Sequence, residues 1–87
     1  MNFEIIKKEE DYLEIKFIGE DSSIFYALRD VLAADKDVEF ISVLQEHPEI
    51  ENVIVILRTK KSKPIDKLKE GLKSIHKTIE DLEKSLF

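Results

Sequence analysis

Residues 65–87 read IDKLKEGLKSIHKTIEDLEKSLF, and hydrophobic side chains recur through this stretch in steps of three and four. These positions form a heptad seam, which consists of Ile65, Leu68, Leu72, Ile75, Ile79, Leu82 and Leu86. Two apolar positions per heptad are typical of a helix packed lengthwise on another helix, whereas a helix that covers its own domain usually carries a third. Such a helix is roughly 35 Å long and would span or overhang a compact chain of this size. The pattern therefore predicts a long helix that contacts a partner chain.

Composition sets limits on the class of protein. The 87 residues, of which 43 % are apolar and 38 % are charged, predict a single globular domain over residues 1–87 with a small core. The absence of cysteine excludes disulfides and thiolate zinc sites, and it favours a cytoplasmic location. No apolar run is long enough for a transmembrane helix or a targeting segment, so we expect no membrane association.

Charge argues against nucleic acid as a direct partner. Nineteen acidic and fourteen basic residues give a net charge of −5, the opposite of what a phosphate-binding surface needs. One basic run, Arg58, Lys60, Lys61 and Lys63, is an exception. A solvated loop is the favoured interpretation of this run, and a contact with nucleic acid or an acidic partner is the alternative.

Periodicity predicts four strands and two helices. The alternation of apolar residues over 3–18 indicates an antiparallel hairpin with a charged turn at 7–11. Asp21 or Ser22 would cap a helix that runs to about Ala34. Two further strands are predicted at 38–45 and 53–59, joined by a polar connection at 46–52 that Pro48 fixes. The apolar run at 53–57 favours burial on both faces, and Pro64 would begin the long helix.

The order strand, strand, helix, strand, strand, helix indicates an α+β fold. We expect a four-stranded antiparallel sheet with both helices on one face. Gly71 is unusual within the last helix, because a mid-helix glycine costs about 1 kcal/mol relative to alanine. With Thr78 and Ser85 it forms either a flat flank for the approach of another backbone or a polar flank that arose by chance.

Residues suited to catalysis are few. His47 lies in a predicted loop, His76 flanks the heptad seam, and the two adjacent serines at 22 and 23 resemble helix caps. Neither a nucleophile elbow nor a glycine-rich phosphate loop is present. We therefore expect no catalytic residue, metal, cofactor or small-molecule substrate; a small enzyme would need a pocket built around His47 and neighbouring carboxylates.

Several short stretches together resemble the subunit L family of archaeal RNA polymerase, which is related to the smaller α-like subunit of eukaryotic polymerase II. The resemblance covers nearly the whole chain, and its order and spacing are more specific than any one stretch. The stretches are KKEEDYLE at 7–14, GED at 19–21 followed by Leu28-Arg29, DVEF at 37–40, His47-Pro48, RTK at 58–60 and Pro64. The chain departs from the family's usual pattern at 22–26, where Ser22 and Tyr26 replace a histidine and an asparagine, and at 41–43.

The resemblance implies a noncatalytic assembly subunit. It would form a heterodimer with the α-like RNA polymerase subunit designated D, which we call the α-like partner, and the pair would form the platform for the large catalytic subunits. Both helices take part in the dimer contact of the family, and Arg29 would make a polar contact either at the edge of that pairing or with a large subunit. The implied interface consists of Phe25, Leu28, Arg29, Leu32, Ile65, Leu68, Leu72, Ile75, Ile79, Leu82 and Leu86.

The residues alone leave a second class open, a homo-oligomeric module that packs the same helix against its own copy, because a heptad pattern does not name its partner. Either interface would be apolar, since a buried leucine or isoleucine contributes roughly 1.5–3 kcal/mol and a surface ion pair about 0–1. Leu72→Glu or Ile75→Glu should therefore abolish pairing, whereas Lys61→Ala should not.

Overall fold

The computed structural model describes residues 2–20, 22–47 and 49–86. It confirms the α+β fold with a four-stranded antiparallel sheet, two helices and a long C-terminal helix. The elements are β1 (Asn2–Lys8), β2 (Tyr12–Ile18), α1 (Ser22–Ala33), β3 (Val38–His47), β4 (Ile50–Thr59) and α2 (Pro64–Leu86). The strands lie in the order β1-β2-β4-β3, so the two central strands come from different hairpins. Asp21, one of the two predicted helix caps, lies outside the described residues.

The hairpin of β3 and β4 is longer than the sequence predicts. The predicted polar connection at 46–52 is wrong in extent, because the strands pair as far as His47 and Ile50. Asn52 donates a hydrogen bond from Nδ2 to Glu46 across this extension, at 2.9 Å. Strand pairing thus continues through residues with polar side chains. The register of the pairing shifts between Gln45 and His47, close to the end of the hairpin. Pro48 lies outside the described residues.

Both helices pack on one face of the sheet. The α1 helix lies over β3 and β4, whereas α2 lies over β2 and β4 and against α1. The core between the layers is apolar and closely packed; its buried members are Leu13, Ile15, Phe17, Phe25, Leu28, Leu32, Val43, Val53, Val55, Leu57, Leu68 and Ile75. The rings of Phe17 and Phe25 join sheet and helix, with centroids 4.6 Å apart.

The opposite face of the sheet has no covering layer among the residues that the structure describes. The predicted burial of β4 on both faces is therefore wrong for the chain alone: Val53, Val55 and Leu57 are fully buried beneath the helices, whereas Ile54 and Ile56 on the other face are half-buried. Alternation of side chains along a strand makes the two faces separate surfaces.

The edge strand β1 extends beyond the helices. All seven of its residues are exposed, including Phe3, Ile5 and Ile6. A bulge interrupts its pairing with β2 between Ile5 and Lys7. An irregularity of this kind twists an edge strand and hinders its pairing with other chains.

Candidate partner-binding site

The heptad seam divides into two halves with different surroundings. In the first half Leu68 and Ile75 are buried in the chain's own core, and Ile65 and Leu72 pack partly against it. This half therefore has an intramolecular role, contrary to the expectation that the whole seam needs a partner. Leu68 and Ile75 have almost no free surface for a second chain, because the sheet and α1 already cover them.

Three predicted interface residues of α1 are likewise buried within the chain. Phe25, Leu28 and Leu32 are between 0 and 2 % exposed. They form the apolar stripe of α1 that packs on the sheet and beneath α2. The sequence suggests that the apolar face of α1 is wider than one domain needs, and the structure agrees in part: these three residues are used within the chain, whereas Val31 on the same face is 41 % exposed.

Gly71 lies where α1 and α2 cross. A Cβ atom added to Gly71 would lie 2.5 Å from Cδ1 of Leu28 and 3.2 Å from Cδ2 of Leu32. The flat flank predicted at this glycine thus accommodates a helix of the same chain. The two other small residues of the series are exposed, and their hydroxyls bond carbonyls of their own helix: Thr78 to Ser74 and Ser85 to Asp81, each at 3.0 Å.

The second half of the seam is exposed. Ile79, Leu82 and Leu86 are 43, 57 and 67 % exposed, and every residue from 76 to 86 is exposed. This part of α2 extends the seam beyond the layer that covers its first half. A row of large aliphatic side chains on such a helix is an apolar surface that the described part of the chain leaves uncovered.

A groove between the helices continues this apolar row. It encloses about 450 Å³ and is lined by Ser23, Ile24, Ala27, Val31, Ser74, Ile75, Thr78 and Ile79. Val31 is 41 % exposed at its rim. We call the combined area the helix surface: Ile24, Ala27, Val31, Leu72, Ile79, Leu82 and Leu86. It retains four of the predicted interface residues, and it includes three residues of α1 that sequence reasoning did not select.

Arg29, the predicted polar contact, is exposed on α1. Its guanidinium carbon lies 5.1 Å from the ring centroid of Tyr26, and its Nε lies 3.5 Å from Oδ1 of Asp30. Tyr26, which replaces the family's usual asparagine, therefore orients the neighbouring arginine. Both side chains are accessible to a second molecule.

Sequence reasoning missed a polar cluster that holds the start of α2. The Asp37 carboxylate accepts hydrogen bonds from the backbone N–H groups of Lys61 and Ser62, at 2.8 and 3.0 Å. The Asp35 carboxylate accepts from Lys67 Nζ at 2.8 Å and from the Asp37 N–H at 2.9 Å. The turn before β3 is thereby joined to the loop before α2 and to the first turns of that helix. The sequence feature that could have revealed this cluster is the pair Asp35 and Asp37, which are separated by one residue just after α1.

These contacts shift the pKa values of the charged side chains in the cluster. Hydrogen bonding from Ser62 and the loop amides lowers the pKa of Asp37 below its ordinary value. The hydrogen bond from Lys67 lowers the pKa of Asp35, and the same bond raises the pKa of Lys67. Each shift favours the charged form that makes the contacts. The cluster therefore remains ionised at neutral pH and fixes the direction in which α2 leaves the sheet.

Other candidate chemical groups are dispersed. His47 lies at the end of β3, where its Nδ1 accepts the backbone N–H of Glu49 at 3.2 Å, and His76 lies on the exposed side of α2, 2.9 Å from Glu80. Among residues 2–20, 22–47 and 49–86, no group of three or more acidic, histidine or cysteine side chains could hold a metal ion. In the same part of the chain, neither helix is long and apolar enough to cross a membrane.

A two-layer α+β fold with an exposed apolar helix row is an architecture suited to pairing between chains. The family model for the RNA polymerase Rpb3/Rpb11 dimerisation domain matches residues 12–85. The DNA-directed RNA polymerase subunit Rpo11 of Pyrobaculum aerophilum is 32 % identical over 87 residues, which cover 100 % of this chain and 95 % of the relative. The Pyrococcus horikoshii Rpo11 is 46 % identical over 48 residues, 55 % of this chain and 50 % of the relative.

A solved structure agrees with this assignment. The crystal structure of DNA-directed RNA polymerase subunit L from Thermoplasma acidophilum superposes with a TM-score of 0.85 at 25 % identity, covering 98 % of this chain and 84 % of the other. The chain belongs to the RNA polymerase Rpb3/Rpb11 dimerisation domain family. The resemblance to archaeal subunit L, and with it the assignment to transcription as a noncatalytic polymerase subunit, is confirmed.

Proposed function

We propose that this chain forms a heterodimer with the α-like partner of its own RNA polymerase through the helix surface. The pair would serve as the platform on which the large catalytic subunits assemble, in the cytoplasm. The observation that supports this proposal is the exposure of Ile79, Leu82 and Leu86 along one side of α2, in a chain of a dimerisation family.

The energetics favour an apolar interface. Complete burial of a leucine or isoleucine contributes roughly 1.5–3 kcal/mol, so covering three half-exposed side chains would contribute about 1–2 kcal/mol each. The nearby His76–Glu80 pair is exposed, and surface pairs contribute about 0–1 kcal/mol. Apolar contact along α2 therefore outweighs the charges beside it.

The interface can be tested without disturbing the core. Leu82→Glu changes an exposed side chain, so the isolated chain should keep its fold, but it places a carboxylate in the proposed interface. We expect co-purification with the tagged α-like partner to be lost, with affinity weakened by about a hundredfold or more. Circular dichroism of the isolated variant checks that α2 is retained.

Lys84→Gln is the matched control. It changes the net charge by the same amount, and it lies on the opposite side of α2 from Leu82, since two residues turn an α-helix by about 200°. We expect this variant to co-purify with the α-like partner as the unaltered chain does. Retention of Leu82→Glu at the unaltered yield would contradict the proposed interface.

A further inference from the structure

The face of the sheet opposite the helices carries a second apolar area. We call it the sheet surface: Ile18, Phe40, Leu44, Ile54, Ile56 and Arg58. Phe40, Leu44 and Ile18 are 51, 49 and 41 % exposed. Leu44 lies directly opposite Ile54 across the strand pair, and Phe40 lies opposite Arg58. The apolar side chains therefore form a continuous area over β3 and β4.

Several polar groups around this area already have partners. Lys16 Nζ lies 3.5 Å from Oε1 of Glu46, and Asn52 donates to the other oxygen of Glu46 at 2.9 Å. Tyr12 donates a hydrogen bond to Glu14. An apolar centre within a polar rim is the usual anatomy of a protein interface.

Arg58 has no anionic partner among the described residues. Its guanidinium carbon lies 5.0 Å from the Tyr12 ring centroid. The stacked ring orients the guanidinium, whose planar donors suit a carboxylate. Arginine and phenylalanine are enriched in interfaces relative to the remaining surface. A partner with a carboxylate at this position would form an ion pair with Arg58.

The size of the face indicates what kind of contact it makes. The strands of seven and ten residues are about 24 and 33 Å long and lie about 4.8 Å apart, so the whole face has a flat area of roughly 550 Å². A stable pair of free proteins usually buries about 800 Å² on each partner. The sheet surface alone is thus too small for a lasting dimer of this chain. It suffices to bind a subunit that another contact already holds in the same assembly, because that contact raises the effective concentration of the subunit at the sheet surface.

We propose that the sheet surface docks a second protein subunit, distinct from the helix-surface partner, through an aliphatic area that carries one carboxylate facing Arg58. This proposal rests on the proposed function, because that pairing brings the chain into an assembly. Single-stranded nucleic acid is the weaker alternative, since Glu14 and Glu46 lie on the same face and the exposed centre is mostly aliphatic.

The absence of cysteine permits a direct test. Leu44→Cys introduces one thiol into the sheet surface, and Phe40→Cys provides a second position if the first variant folds poorly. The alkylation rate of each thiol is measured in the isolated chain, in the pair with the α-like partner and in the complete polymerase. We expect no change on pairing and about tenfold or greater slowing in the complete polymerase. Leu82→Cys should already be protected in the pair.

Arg58→Glu tests the predicted carboxylate. It should preserve the pair but reduce incorporation of the pair into the polymerase, whereas Lys36→Glu, a charge reversal at an exposed residue that belongs to neither surface, should not. Equal alkylation of the sheet thiols in the pair and the complete polymerase would overturn the inference. So would protection by the α-like partner or by added single-stranded RNA. An unprotected Leu82→Cys in the pair would instead contradict the proposed function.

Discussion

Gly71 shows how one residue determines the distance between two helices. Leu28 is fully buried, so its Cδ1 atom cannot move away freely from a Cβ placed 2.5 Å from it. Alanine at this position would gain about 1 kcal/mol of helix propensity, but overpacking typically costs about 1–3 kcal/mol. The local preference of the helix and the packing of the core therefore oppose each other at this residue.

We expect Gly71→Ala to lower the free energy of unfolding by about 1 kcal/mol in urea titrations of the isolated chain. Leu28→Ala makes room at the crossing. In a chain that already carries Leu28→Ala, the further change Gly71→Ala should therefore leave the free energy of unfolding unchanged or raise it. The double-mutant cycle would then show coupling between the two sites. An increase of about 1 kcal/mol in the free energy of unfolding from Gly71→Ala alone would show that the helix crossing accommodates the added methyl group without strain.

Asp37 provides a prediction that depends on pH. Its pKa is lowered in the folded chain, so its stabilising contribution is complete well above its ordinary pKa of 3.8 and is lost as the pH falls through that value toward the folded pKa. Asp37→Asn should lower the melting temperature at pH 7, and the difference from the unaltered chain should shrink below about pH 4.

Asp30→Asn is the control for this measurement, because the Asp30 side chain is 75 % exposed and its ion pair with the neighbouring Arg29 is exposed as well. Its effect at pH 7 should be small. A melting-temperature difference for Asp37→Asn that stays constant between about pH 7 and pH 3 would show that the ionised carboxylate does not hold the loop before α2.

At the scale of the element, α2 combines two environments in one helix. Residues 64–75 include four buried positions, Pro64, Leu68, Gly71 and Ile75, whereas residues 76–86 are exposed throughout. Short helices without tertiary packing are marginally stable in water. We expect amide hydrogen exchange in the isolated chain to be faster at 79–86 than at 68–75, and binding of the α-like partner should slow it. Uniform protection of α2 in the isolated chain would contradict this description.

The sequence predicted the elements better than their surroundings. Hydrophobic periodicity identifies each strand and helix, and Pro64 marks the start of α2 correctly. Periodicity does not reveal what covers an apolar face, so the burial of Leu68 and Ile75 within the chain and the incomplete burial of Ile54 were not predicted. The contacts of Asp37 were missed for a similar reason, because they join segments that are 24 and 25 residues apart.

At the scale of the whole molecule, the two layers place the helix surface and the sheet surface on opposite sides. One molecule can therefore contact two partners at once without competition between them. Comparing Leu82→Glu and Arg58→Glu as single substitutions should show this independence: the first should remove pairing with the α-like partner, and the second should affect only later incorporation. We expect the Arg58→Glu pair to have the same dissociation constant as the unaltered pair. A weaker pair would indicate that the two surfaces are coupled.

The most direct test of the central claim is the mass of the species obtained when this chain is co-expressed with the α-like partner of its own source, measured by light scattering after size-exclusion chromatography. The proposed function predicts a stable one-to-one heterodimer, and an isolated chain that self-associates without fixed stoichiometry as its concentration rises, because the exposed row on α2 then lacks its cover. A well-behaved symmetric homodimer that does not bind the α-like partner would contradict the claim and support the homo-oligomeric module.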